Sequence, residues 1–295
     1  MDLAEGEGIR SIEIVKATAI YTVTPSWPVK KKKDFSQGVK KLEGLGFRVH
    51  NKAFIKRSPS VAGKVRQIHS AFADKRVDIV LAQRGGYSSM KVLPHLDFDL
   101  IRKNPKIFVG FSDLSTMLNV IYERAGLVTL HGPMVVNFSR PRRPTVRSFL
   151  NAVEGFPEKD LLAGAPVHVY RRGNVRGILK GGNLETLTSL VGTEWEISTE
   201  GTIFFLEEVG EKLYRVDRLL TQWIMAGKFR RMKGLILGDF ERLKNSDVYR
   251  IIASQMKIDF PVIHCPYIGH ASNKITLPVG ARVELNASRK SLIVL

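Results

Sequence analysis

Three short stretches of this 295-residue chain combine residue types that could carry chemistry. In Gly110-Phe111-Ser112-Asp113, a serine follows a short apolar run and precedes a helical pattern. A sharp strand-to-helix turn can push a hydroxyl out of a sheet, and the first amides of the next helix point at the same spot. That describes a nucleophile elbow, although the second glycine of G-x-S-x-G is missing. The alternative is an N-cap, with Ser112 or Asp113 accepting a hydrogen bond from the first helical turn. In Arg84-Gly85-Gly86-Tyr87, consecutive glycines allow a backbone conformation and a closeness of approach that other residues forbid, so a peptide N–H could face an oxyanion. An ordinary tight turn is the other reading. Gly181-Gly182-Asn183 has the same character, with Asn183 available to fix a substrate.

A serine nucleophile needs a base, and seven histidines compete for that part. His69 lies in an amphipathic helical pattern and His50 ends a short strand, so both read as surface or structural residues. His270 follows Tyr267-Ile268-Gly269 in a loop, with no apolar periodicity to explain it as core. The acid that would orient its imidazole is best sought at a strand end, where Glu207 and Glu208 stand side by side. Adjacent carboxylates in a strand point to opposite faces, so at most one is expected to face inward. His264, Cys265 and His270 have the residue types of a metal site, but their spacing matches no common ligand pattern.

The elements that must position these groups read as repeated βαβ units in the first half. Residues 12–23 are β-rich and end at Thr24-Pro25-Ser26, and Asp34 is placed to cap a helix carrying Phe35, Val39 and Leu42. Short strands are expected at 47–50, 77–82 and 106–110, with helices around Val65, Ile68 and Phe72 and over 113–125. In an open α/β sheet the loops leaving the carboxyl ends of the strands share one edge, so Pro25-Ser26, residues 84–87 and Phe111-Ser112 should converge. The expected layout is α/β. Residues 1–138 form a mostly parallel sheet flanked by helices and carry the serine elbow, and 139–173 form a linker with one short helix. Residues 174–295 form a smaller C-terminal α/β domain rich in β structure, carrying acid and base. There, strands are read at 175–179, 202–207 and 235–237, helices at 184–190 and 213–226, and a β-hairpin at the end of the chain.

Composition narrows the class. Lys and Arg number 46 against 28 Asp and Glu, a net charge of +18, and 44% of residues are hydrophobic, enough for a core. Such charge invites nucleic acid, an anionic membrane surface or anionic small substrates. No zinc-finger spacing, basic zipper or aromatic RNA-binding signature accompanies it, so a solvated basic face is the plainer reading and nucleic acid is not expected. One cysteine, Cys265, excludes an internal disulfide and a Cys-x-x-Cys pair. The N-terminus lacks the positive start and apolar stretch of a signal peptide, and no run approaches the roughly 18 apolar residues of a membrane span. The chain reads as soluble and cytoplasmic.

Taken together, these motifs resemble the LD-carboxypeptidases (muramoyl-tetrapeptide carboxypeptidases), a family of serine peptidases that shares its fold with the microcin C immunity proteins. The resemblance is strongest over residues 84–134, and is supported by KGGNLETLTSLVGT, by FLEEVGEKLYRVDRLLTQ and by Ile268-Gly269-His270. It implies a triad of Ser112, Glu207 and His270, with Glu207 preferred to Glu208 because the family's acid is the first of the two positions. It also implies an oxyanion hole from the backbone N–H groups of Gly86 and Asp113, no metal or other cofactor, and a homodimer. Tyr87, Ser88 and Asn183 are expected to contact substrate. The implied reaction is hydrolysis of the amide between an L-centre, meso-diaminopimelate or lysine, and a terminal D-alanine in murein tetrapeptides, a step of peptidoglycan recycling. Three departures stand out: Ser88 where the family generally has glycine, the segment before Thr24-Pro25-Ser26, and the run Lys30-Lys31-Lys32-Lys33.

Two rival readings remain. An immunity-type amidase would cleave aminoacyl-adenylate analogues with the same triad, but that branch tends to carry longer insertions than the 207 − 112 = 95 positions that separate serine and acid here. A non-catalytic binding protein would keep the scaffold for its basic surface.

Overall fold

The computed structural model of the chain describes residues 18–295. In chain order it runs β1 (Ala19–Val23), α1 (Lys32–Gly44), β2 (Arg48–His50), α2 (Val61–Ala73), β3 (Ile79–Ala82), α3 (Phe98–Lys103), β4 (Ile107–Gly110), α4 (Ser115–Ala125) and β5 (Thr129–His131). Then follow α5 (Arg143–Val153), β6 (His168–Arg171), β7 (Asn174–Asn183), α6 (Leu184–Thr188), β8 (Thr202–Glu208), α7 (Leu213–Met225), β9 (Gly234–Phe240), α8 (Asn245–Gln255) and β10 (Val262–His264). The chain closes with β11 (Leu277–Val279), β12 (Arg282–Asn286) and β13 (Ser291–Val294).

Two sheets result. The first has the order β11-β5-β4-β3-β1-β2, with β1 to β5 parallel and β11 antiparallel at one edge. The second has the order β13-β12-β7-β8-β9-β10-β6, with β7 to β10 parallel, β6 and β12 antiparallel to them, and β13 antiparallel to β12. The alternation of strands and helices builds a two-sheet α/β architecture, as expected. Strand β3 is buried along its whole length, as it must be in a parallel sheet covered on both faces.

Several details differ from the sequence reading. The expected strand over 12–23 is present from Ala19 to Val23, and its earlier part lies outside the described residues. Helix α1 begins at Lys32, so Asp34 sits in the first turn rather than at the cap, where its carboxylate still favours the positive helix end. Residues 139–173 contain α5 and also the edge strand β6, which pairs with β10. Strand β11 returns from the C-terminal half to pair with β5. Its central Pro278 hides it from a sequence reading, yet proline is tolerated at a sheet edge because no ladder partner needs its N–H.

The two sheets meet at α4. Its apolar positions Met117, Leu118 and Ile121 are buried as the helical spacing predicts, but Ser115, Thr116 and Asn119 are buried too. Asn119 donates to Gly181 O at 2.9 Å, and Asn183 N donates to Ser115 Oγ at 3.0 Å. A Cβ on Gly182 would lie 2.3 Å from Ser115 Oγ, and its φ of +148° also demands glycine. The Gly181-Gly182 pair thus lets the end of β7 lie directly against the start of α4.

Candidate active site

The elbow forms where β4 ends. A Cβ on Gly110 would collide with Leu114 Cγ at 2.9 Å, so glycine lets the chain turn tightly into the following helix. Ser112 has φ +64°, a left-handed conformation that is strained for a side chain bearing a Cβ. Neither Ser112 nor Asp113 caps the helix, which sets aside the N-cap alternative. The Asp113 carboxylate instead accepts from Ser26 Oγ at 2.5 Å and from Ser89 N at 2.9 Å. Asp113 therefore straps the loops after β1 and β3 onto the elbow, the convergence expected at the carboxyl edge of the sheet.

The loop after β3 lies beside the serine. A Cβ on Gly85 would sit 3.3 Å from Ser112 Oγ, so any larger residue would crowd the hydroxyl. Gly86 has φ +136°, and a Cβ there would lie 2.8 Å from Trp27 Cβ. Among the described residues, neither the Gly86 N–H nor the Asp113 N–H donates a hydrogen bond. Tyr87 is exposed, with Lys91 Nζ 5.2 Å from its ring centre. Ser88 has φ +96°, a backbone that glycine adopts without strain, and its hydroxyl accepts from Lys64 Nζ at 2.6 Å. Asn183 is buried as the cap of α6: its Oδ1 accepts from Thr186 N and Oγ1, and its Nδ2 donates to Glu208 Oε1. That leaves at most one N–H for any other partner, so Asn183 serves the scaffold first.

His270 and Glu207 meet across the second sheet. His270 Nδ1 lies 2.7 Å from Glu207 Oε2, and the imidazole packs on Phe111, with ring centres 4.9 Å apart. Glu207 is wholly buried at the end of β8. A Cβ on Gly269, whose φ is +111°, would lie 2.7 Å from both Glu207 Cβ and Oε2, so the glycine before His270 makes room for the acid. Ser112 Oγ makes no hydrogen bond to His270, whose ring contact on this side is with Phe111. The base stands against Phe111, the residue just before the serine.

The two adjacent carboxylates have separate partners, but both are buried, because the sheet is covered on both faces. Glu208 accepts from Asn183 Nδ2, Glu185 N and Val209 N, and burial pushes its carboxyl up to about 7. His264 lies 2.6 Å from Asn245 Nδ2, and burial raises the Cys265 thiol to about 11, so neither is presented as a free ligand. Among the described residues, no group of three or more His, Cys, Asp or Glu is placed to hold a metal ion.

Two residues that the sequence reading passed over also reach this centre. His131, at the end of β5, is wedged between Phe111 and Phe205, with no hydrogen-bond partner for either ring nitrogen among the described residues; burial pulls it down to about 4. Lys274 is buried, and its ammonium lies 4.6 Å from the ring centre of Phe111. A histidine in an apolar run, and a lysine four residues after His270, carry no sequence signal that separates them from structural residues.

A strained serine, two amides that donate no hydrogen bond among the described residues and an imidazole held by a buried carboxylate are the groups that acyl transfer to water uses. The sequence matches the LD-carboxypeptidase N-terminal domain over residues 20–132 and the LD-carboxypeptidase C-terminal domain over residues 176–285. The chain belongs to the LD-carboxypeptidase family. It is 31% identical over 297 aligned residues to the probable murein peptide carboxypeptidase of Bacillus subtilis, covering 95% of this chain and 92% of that one. The crystal structure of an MccF-like protein from Bacillus anthracis superposes with a TM-score of 0.83 at 28% identity, covering 95% of this chain and 97% of that one. That of a muramoyltetrapeptide carboxypeptidase from Oxalobacter formigenes gives 0.79 at 29% identity, covering 93% and 97%. Among the described residues no helix is long and apolar enough to cross a membrane.

Proposed function

We propose that the chain is a serine-type LD-carboxypeptidase that releases the terminal D-alanine from murein tetrapeptides. The observation that carries this reading is the pairing of His270 with buried Glu207, packed on Phe111 beside a serine held in left-handed backbone. In the mechanism, Ser112 Oγ attacks the carbonyl carbon of the L-centre while His270 Nε2 takes the hydroxyl proton. Glu207 holds Nδ1–H and stabilises the imidazolium. The oxyanion is received by the N–H groups of Gly86 and Asp113, each donor contributing a factor of about 10² to 10³. Collapse breaks the C–N bond, His270 returns the proton to the leaving amine of D-alanine, and an ester remains on Ser112. Water, deprotonated by His270, cleaves the ester and regenerates the serine.

The excess of positive charge suits a substrate that ends in a free carboxylate and is anionic overall. Lys30, Lys31, Lys32 and Lys33 are all exposed, in keeping with a solvated basic face. A cytoplasmic place in peptidoglycan recycling and a homodimer follow from the same reading.

The likeness to an MccF-like structure favours one second reading, an amidase acting on aminoacyl-adenylate analogues. The short spacing between Ser112 and Glu207 argues for the carboxypeptidase. A side-by-side assay decides: D-alanine and tripeptide from a murein tetrapeptide are expected, and hydrolysis of an aminoacyl-sulfamoyl adenosine alone would overturn the assignment.

A further inference from the structure

Lys274 stands out because it is a buried cation with no carboxylate in ion-pair contact among the described residues; it is 8% exposed. Removing an ammonium from water is expensive, so the protein must offer it something in return. Its Nζ donates to Gly269 O at 2.8 Å and to Ala271 O at 2.7 Å, the carbonyls on either side of His270. Its third side faces the ring of Phe111, the residue before Ser112, and Phe111 in turn packs on His270. Its own backbone N–H donates to Thr145 Oγ1 on α5, which fixes the root of the side chain.

We infer that Lys274, as a cation, is a positioning residue that ties the loop carrying His270 to the turn carrying Ser112. The inference rests on the serine-peptidase reading proposed above. An apolar side chain of the same length would fill the space without desolvating a charge, so packing alone does not explain a lysine here. The charge also lies near Glu207 and Asp239, which favour its protonated form, while burial works against it and brings it down to about 8. The other titratable groups facing this region are His131 from β5 and His270 itself. On its outer side, Lys274 borders a cavity of about 360 Å³ that is also lined by Arg143, Arg147, Glu158 and Asp160.

The test compares wild type, Lys274→Met, Lys274→Arg and Ser112→Ala by D-alanine release from murein tetrapeptide between pH 6 and 10, with folding followed by circular dichroism. Lys274→Met keeps the stem and removes the charge. It is expected to lower kcat by about 10²-fold with KM changed by less than about threefold, since a loosened base is felt in the transition state more than in binding. Wild-type kcat is expected to decline above about pH 8 as Lys274 loses its proton. Lys274→Arg should hold its kcat through pH 10, because a guanidinium stays charged. A folded Lys274→Met enzyme with wild-type kcat would overturn the inference. If that variant does not fold, a Lys274→Arg profile with the wild-type decline does the same. Full turnover in Ser112→Ala would instead remove the serine reading itself, so the two failures are told apart.

Discussion

His270 Nδ1 and Glu207 Oε2 stand 2.7 Å apart although 63 positions separate the two residues in sequence. The contact is made inside the protein, where a carboxylate and an imidazole interact more strongly than they would in water. It gives the imidazole to Glu207, while the neighbouring Glu208 accepts from Asn183, Glu185 and Val209.

That contact predicts opposite outcomes for two similar changes. Glu207→Gln would place an amide where the imidazole needs an acceptor, and kcat should fall by about 10³- to 10⁴-fold with the fold retained. Glu208 accepts three N–H donors at the start of α6 and the end of β8. Glu208→Gln turns one acceptor into a donor facing donors, and should lower stability by about 1–3 kcal/mol with kcat within about threefold. Steady-state kinetics and urea unfolding on both variants check this; a reversed pattern would reassign the acid.

Ser112 should be the residue that a serine-directed phosphonate labels, as located by mass spectrometry of the adduct. Ser112→Ala should reduce turnover by about 10³- to 10⁶-fold. Ser112→Gly should be equally inactive yet melt no lower than wild type, because glycine relieves the left-handed strain at φ +64°. Labelling at another serine would dismiss the elbow.

Gly86→Ala adds a methyl at φ +136°, 2.8 Å from Trp27 Cβ, and must shift the loop that carries the Gly86 N–H. A loss of about 10²-fold in kcat is expected, the size of one misplaced oxyanion donor. Unchanged kcat in a folded Gly86→Ala enzyme would exclude this amide from the site.

Acid should destabilise the protein through His131. Its folded pKa is near 4, below the ordinary value of 6.5. Between these values the unfolded chain binds a proton that the native state refuses, so stability is present above pH 6.5 and is lost as pH falls toward 4. The loss is at most about 3 kcal/mol. Comparing urea midpoints at pH 7.5 and pH 4.5 for wild type and His131→Phe measures it; equal pH dependence in the two would reject this account.

Much of this protein is legible in its residues alone. Apolar spacing marks the strands and helices around the elbow, and paired glycines mark the places where backbones must approach closely. A Cβ on Gly182 would clash with Ser115, and one on Gly85 would crowd Ser112. These signals are local, and the chain encodes them within a few neighbours. The contact of Glu207 with His270, the capping duty of Asn183, the burial of His131 and the grip of Lys274 on the His270 loop depend on segments distant in sequence. Strand β11, interrupted by proline, earns its place only by lying at the edge beside β5. Only folding decides which side chains lose their water together, and that loss sets their partners and their charge.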